Sequence, residues 1–171
     1  IDSLNFNPDG TIQKVIPTLR GVGLTNTRSR IQIDRYSALQ GKGIGIDYLD
    51  KNNCFAGWKT LFSKSNTALI YNKVDFGNEK VEEITIRAKS SKGGVLVVRA
   101  DGKKGNIIAK VKIPKSAGWK NIRAQVLHAP QGVHALHVSL QSGADVEVDW
   151  LGFDALPWEK GAFETHQYRN L

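Results

Sequence analysis

The chain has 171 residues, 40% of them hydrophobic, with 17 glycines, no methionine and a formal charge of +8 from 24 Lys and Arg against 16 Asp and Glu. That length supports one domain with its own core, and the composition excludes a disordered polymer. The longest apolar runs, such as residues 95–98, are too short to cross a bilayer, so membrane insertion is not expected.

The first 29 residues read as a leader and linker from a preceding domain. Asn7-Pro-Asp-Gly10 is a turn, because Pro8 fixes its φ and Gly10 tolerates positive φ. Residues 11–16 then alternate and Pro17 ends them. A start at Ile1, with no methionine anywhere, reads as a fragment. No basic segment with an apolar run behind it opens the chain, so any export signal has been removed or lies upstream.

From Arg30 the β alternation resumes as Ile31-Gln-Ile-Asp-Arg-Tyr36. Gln32 and Asp34 share one side and Ile31 and Ile33 the other. Two oxygen-bearing side chains two apart can share a hard cation if a third group converges on them; otherwise the strand is a plain wet edge. Gly41-Lys-Gly-Ile-Gly45 leads into a short strand ending near Tyr48. It lacks the Gly-Lys-Ser/Thr ending of a phosphate loop. The long loop of residues 50–67 holds Phe55, Trp58 and Phe62. Trp58 beside Gly57 has two readings, an exposed aromatic or a ring tucked back on the edge of the core. Cys54 is the single cysteine and reads as a half-buried loop thiol.

Residues 71–153 carry the clearest pattern. Val81, Ile84, Ile86 and Ala88 keep a two-residue beat, as do Val111 and Ile113, and Val133, Leu136, Val138 and Leu140 keep it with one slip. Each such run has a buried face and a wet face. Six or more runs at roughly 10-residue spacing, with glycine-bearing turns between them, predict an all-β antiparallel sandwich or barrel. His134 and His137 lie three apart on one predicted strand, so they are expected to face opposite sides and not to chelate together. The tail, residues 154–171, holds Trp158, Phe163 and Tyr168, which suggests that part of it docks.

No catalytic set is visible. A Gly-x-Ser-x-Gly elbow does not occur, Cys54 has no evident histidine partner, and no acidic pair stands out as acid and nucleophile. The charge permits polyanion binding. The basic residues are scattered, however, with Arg28-Ser-Arg30 and Lys103-Lys104 the densest groups. This favours a solvated surface over a nucleic-acid partner.

Tyr71-Asn-Lys-Val-Asp-Phe-Gly77, Gly93-Gly-Val-Leu-Val-Val-Arg-Ala-Asp101, Gly118-Trp119, Gly132-Val-His134 and Val148-Asp-Trp-Leu-Gly-Phe153 resemble, in order, the signature of family 6 carbohydrate-binding modules, and Ile31–Tyr36 resembles its opening strand. The resemblance spans about three quarters of the chain, residues 31–153. It implies a jelly-roll β-sandwich of two antiparallel sheets over residues 30–153. It also implies a structural calcium with Gln32, Asp34 and Asp149 as side-chain ligands. Sugar would bind in a loop-end cleft where two aromatics sandwich a ring. Trp119 matches one of them, and Trp58, or else Tyr48, would supply the other. Glu147 falls where the family places a hydrogen-bonding asparagine. Phe6-Asn-Pro-Asp-Gly-Thr-Ile-Gln13 is similar to the segment that closes the propeller of family 43 glycoside hydrolases. The resemblance therefore implies a non-catalytic accessory domain of an exported hydrolase, covalently linked to it and binding polysaccharide or oligosaccharide. The alternative is a structural domain that packs on the catalytic domain without binding sugar.

Overall fold

The computed structural model describes residues 4–15, 19 and 21–154. The tail aromatics Trp158, Phe163 and Tyr168 lie outside the described residues. Twelve strands follow in order among the described residues: β1 (Thr25–Asn26), β2 (Ile31–Gln32), β3 (Ala38–Gln40), β4 (Ile44–Tyr48), β5 (Trp58–Phe62), β6 (Thr67–Asp75), β7 (Glu83–Ser90), β8 (Gly94–Ala100), β9 (Ile107–Ile113), β10 (Ser116–Gln125), β11 (Val133–Gly143) and β12 (Val146–Phe153). They form two six-stranded sheets. One runs β1-β6-β11-β8-β9, with β3 also on β6. The other runs β10-β7-β12-β5-β4, with β2 also on β12.

The alternation has its expected cause. Ile84, Ile86 and Ala88 of β7, Val111 and Ile113 of β9, and Leu136, Val138 and Leu140 of β11 turn inward and are almost wholly buried. With Phe62, Leu69, Tyr71, Phe76 and Phe153 they make one core between the sheets. The slip in the β11 beat is a β-bulge between His134 and Leu136. Tyr71 is fully buried, and its hydroxyl donates to the Ile33 carbonyl over 2.7 Å, pinning the segment after β2 across the sandwich. Burial pushes the Tyr71 phenol well above its ordinary pKa, so the hydroxyl remains a donor.

The expected sandwich is present, with differences in detail: strand β5 lies within the stretch 50–67 read as a loop, and Phe62 in it is fully buried. The sheets are not wholly antiparallel, because β1 pairs parallel to β6 at Thr25–Val74 and Asn26–Asp75. Pairing thus begins at Thr25, inside the stretch read as linker, and the buried Thr27 fixes it by donating from its hydroxyl to the Asp75 carbonyl. Ahead of it, residues 4–15 make a small hairpin with a bridge between Phe6 and Ile12, whose side chains are exposed. No helix among the described residues is long and apolar enough to cross a membrane.

Candidate functional site

The outer face of the β10-β7-β12-β5-β4 sheet collects the polar residues of the sequence reading. On β7, Arg87 and Lys89 alternate with buried Ile86 and Ala88 and so point outward together. Opposite them, β12 presents Glu147, in register with Lys89, and then Asp149 beside a bulge between Val148 and Trp150. Lys59 comes from β5. Its ammonium lies 2.6 Å from Glu147 Oε2, and that of Lys89 lies 3.4 Å from the same oxygen. Arg87 donates to Asp149 Oδ2. Burial pushes the Asp149 carboxyl upward in pKa, Arg87 pulls it back, and the charge of Asp34 adds to the rise.

Trp119 borders this row from β10. The Arg87 guanidinium carbon lies 5.4 Å and the Lys89 nitrogen 5.2 Å from its ring centroid. These are cation–π distances, and they hold the half-buried indole at the edge of the sheet. Trp58 stacks instead on Tyr48, with ring centroids 4.4 Å apart and planes 26° apart. Both rings are exposed at the cross-strand pair that ends the β4–β5 hairpin. Beyond them Phe55 stands almost fully in solvent. Cys54 is exposed in the short 3-10 turn Cys54–Ala56, not half-buried as expected.

Trp119 and Trp58 stand on strands of the same sheet that are not neighbours. β7 and β12 lie between their strands, so three strand spacings, about 14 Å, separate the two backbones. Glu147 meets two ammonium groups, both through its Oε2. Lys59, Lys89 and Arg87 went unnoticed in the sequence. The signal was there, as Arg87-x-Lys89 on one strand facing Glu147-x-Asp149 on another.

Gln32, Asp34 and Asp149 open onto one cavity of about 250 Å³, together with Arg30, Arg35, Arg87 and Trp58. The donors are all oxygens, which suits a hard cation. Arg35 pairs with Asp34, Arg87 pairs with Asp149, and Arg30 also acts on Asp149, so the two acidic charges are already matched by guanidinium groups. Among the described residues, no group of three or more His, Cys, Asp or Glu side chains is placed to hold a metal. The two histidines of β11 lie on either side of its bulge. The bulge shifts the alternation, and the Asp101 carboxylate acts on both rings. His134 Nδ1 lies 2.7 Å from Asp101 Oδ2.

Two sheets with a sealed core and a polar, tryptophan-bordered outer face define a β-sandwich binding module. The family model of carbohydrate-binding module family 6 matches residues 41–155. The chain belongs to that family, whose members are non-catalytic binding domains. The solved structures it is similar to include CsCBM6-3 from Clostridium stercorarium in complex with cellobiose. That match has TM-score 0.68 and 19% identity, and covers 77% of this chain and 97% of that one. A family 43 arabinoxylan arabinofuranohydrolase from Bacillus subtilis, in complex with cellotetraose, matches with TM-score 0.68 and 21% identity over 89% of this chain. The aligned part is 33% of that longer enzyme. A module of family 36, in complex with calcium and xylotriose, is similar at TM-score 0.55 and 17% identity over 74% of this chain and 99% of its own. None of the curated proteins matches the chain by sequence.

Proposed function

We propose that this module holds an exported glycoside hydrolase on a β-linked plant or microbial polysaccharide, and that Trp119 is its principal stacking residue. The observation that carries this reading is the outward indole of Trp119 beside a row of oriented polar groups. An aromatic face takes the CH side of a pyranose, and the polar row takes its hydroxyl rim. Lys59 and Lys89, fixed by Glu147, donate to sugar oxygens, and the Tyr48–Trp58 pair offers a second apolar platform across the sheet. The similarity to a family 43 hydrolase supports a covalently linked catalytic domain ahead of residue 30. Gln32, Asp34 and Asp149 would hold a calcium ion, which would tie β2 to β12 and take no part in stacking.

Calorimetric titration with cello- and xylo-oligosaccharides tests the proposal. The folded chain should bind one of these series, and Trp119→Ala should weaken binding at least tenfold, about 1.4 kcal/mol. No heat from any neutral oligosaccharide, or an unchanged affinity in the variant, refutes it. The structural alternative, a domain that packs on its enzyme without binding sugar, is not favoured by the similarity to modules solved with bound sugars. It would require that deleting the module from the full-length enzyme lower activity on small chromogenic substrates as much as on polymer.

A further inference from the structure

One border of the sandwich is basic along its length. β9 closes one sheet and β10 closes the other, and residues 114–115 carry the chain directly between them. At the far end the Leu127 amide donates to the Ile108 carbonyl over 2.7 Å, so the two edge strands stay side by side across the seam. On β9, Lys110 and Lys112 alternate with buried Val111 and Ile113, which turns both outward, about 7 Å apart. Lys115 stands in the turn, and Lys120 follows Trp119 on β10. All four lysines are exposed.

Their charge is uncompensated. The chain holds no Asp or Glu from Gly102 to Ala144, so neither edge strand brings a carboxylate of its own. β8, the neighbour of β9, has none either, and Glu83 of β7, the neighbour of β10, pairs with Arg123. Among the described residues Lys110, Lys112, Lys115 and Lys120 enter no ion pair and no side-chain hydrogen bond. The Trp119 face differs, because there Lys59 and Lys89 pair with Glu147 and Arg87 with Asp149. Charges on an edge strand also keep sheets from pairing edge to edge, but such a guard works with either sign. A single sign along two strands and their turn makes a field that collects anions.

The shape of the border points to the partner's chemistry. Ammonium groups are point charges without the guanidinium fork that grips one carboxylate in fixed geometry. They lie along an edge, not around a cavity, which suits a long polymer carrying negative charge at intervals. Trp119 is the one aromatic of residues 102–127, so a strand of bases would find no series of stacking faces there. A polysaccharide needs only one, and a chain stacked on Trp119 lies next to Lys120. We infer that the β9–β10 border binds uronate-bearing polysaccharide, the neutral backbone stacking on Trp119 while carboxylates along it meet Lys120, Lys115, Lys112 and Lys110. The inference rests on the Trp119 reading for the backbone and adds the acidic class of polymer that the chain prefers.

The test is titration of the whole chain with glucuronoxylan, with the same polymer after reduction of its carboxylates, and with neutral xylotetraose, in about 50 mM and 300 mM NaCl. At low salt glucuronoxylan should bind about tenfold tighter than its reduced form, and that advantage should disappear at high salt. Lys110→Gln, Lys112→Gln, Lys115→Gln and Lys120→Gln together should remove the advantage, with melting temperature and xylotetraose binding unchanged. Trp119→Ala should weaken all three ligands and leave the low-salt advantage in place. If xylotetraose alone fails to bind, while glucuronoxylan still binds in a lysine- and salt-dependent way, the stacking reading falls and the charged border stands. The inference is overturned if the two polymers bind equally at low salt or if the four-lysine variant keeps the preference. It is also overturned if that variant self-associates with its affinity unchanged, as loss of an edge guard would give, or if a short DNA duplex binds as tightly as glucuronoxylan.

Discussion

Glu147→Gln removes the one charge that two lysines share. Side-chain exposure is 14% at Lys59 and 25% at both Lys89 and Glu147, with nitrogens at 2.6 and 3.4 Å from one oxygen. Exposed pairs contribute about 0–1 kcal/mol. Breaking a buried pair costs about 3–5 kcal/mol, because the remaining charge is stranded. A site roughly four-fifths covered falls between, at about 2 kcal/mol. For a chain of this size that lowers the melting temperature by about 4–8 °C. Differential scanning calorimetry measures it, and a double-mutant cycle with Lys59→Gln isolates the pair. Removing Lys59 as well relieves the stranded ammonium, so the cycle should show a coupling of about 1–2 kcal/mol. A melting temperature within about 1 °C of wild type, or strictly additive single effects, refutes the view of Glu147 as the clamp of this face. The same variant reports on function. If Glu147 orders the lysines, sugar affinity falls with Glu147→Gln and also with Lys59→Gln; if it accepts from sugar itself, only the first matters.

Three further outcomes are expected. Gly143→Ala should destabilise the fold by more than about 2 kcal/mol, since Gly143 has φ +90° and a methyl there would overlap the Gly93 carbonyl; Gly118→Ala, which meets nothing within 4 Å, is the neutral control by chemical denaturation. The histidines of β11 should titrate apart by NMR. The hydrogen bond to Asp101 raises His134, and burial lowers His137 against a smaller opposing pull from Asp101. The small stabilisation from the His134–Asp101 pair is therefore full below the unfolded value near 6.5 and disappears as pH rises through the higher folded value; coincident titrations, or no change with Asp101→Asn, refute this. Calcium at a hundredfold excess over its Kd should stabilise the chain by about 2.7 kcal/mol, roughly 5–10 °C, with Asp34→Ala abolishing the shift; a chelator without effect on the wild-type melting temperature counts against the ligand set.

The sandwich was legible because its cause is local. Alternation at Ile84, Ile86 and Ala88 is a property of one strand, and glycine-bearing turns mark where each strand must stop. Even the bulge in β11 showed, as a slip in the beat before Leu136. The inward hydrophobic set and the outward polar set were thereby determined before any contact was known. What each outward residue meets was not. Register places Lys89 beside Glu147 and Lys110 in line with Ser139, and register comes from strands far apart in sequence. The distance between Trp119 and Trp58 follows from two intervening strands, which no spacing along the chain encodes. The positive charge looked scattered because Arg99, Lys103, Lys110 and Lys112 sit on two strands and a turn. Only sheet pairing gathers them on one sheet, where Asp101 also stands beside the two histidines of β11.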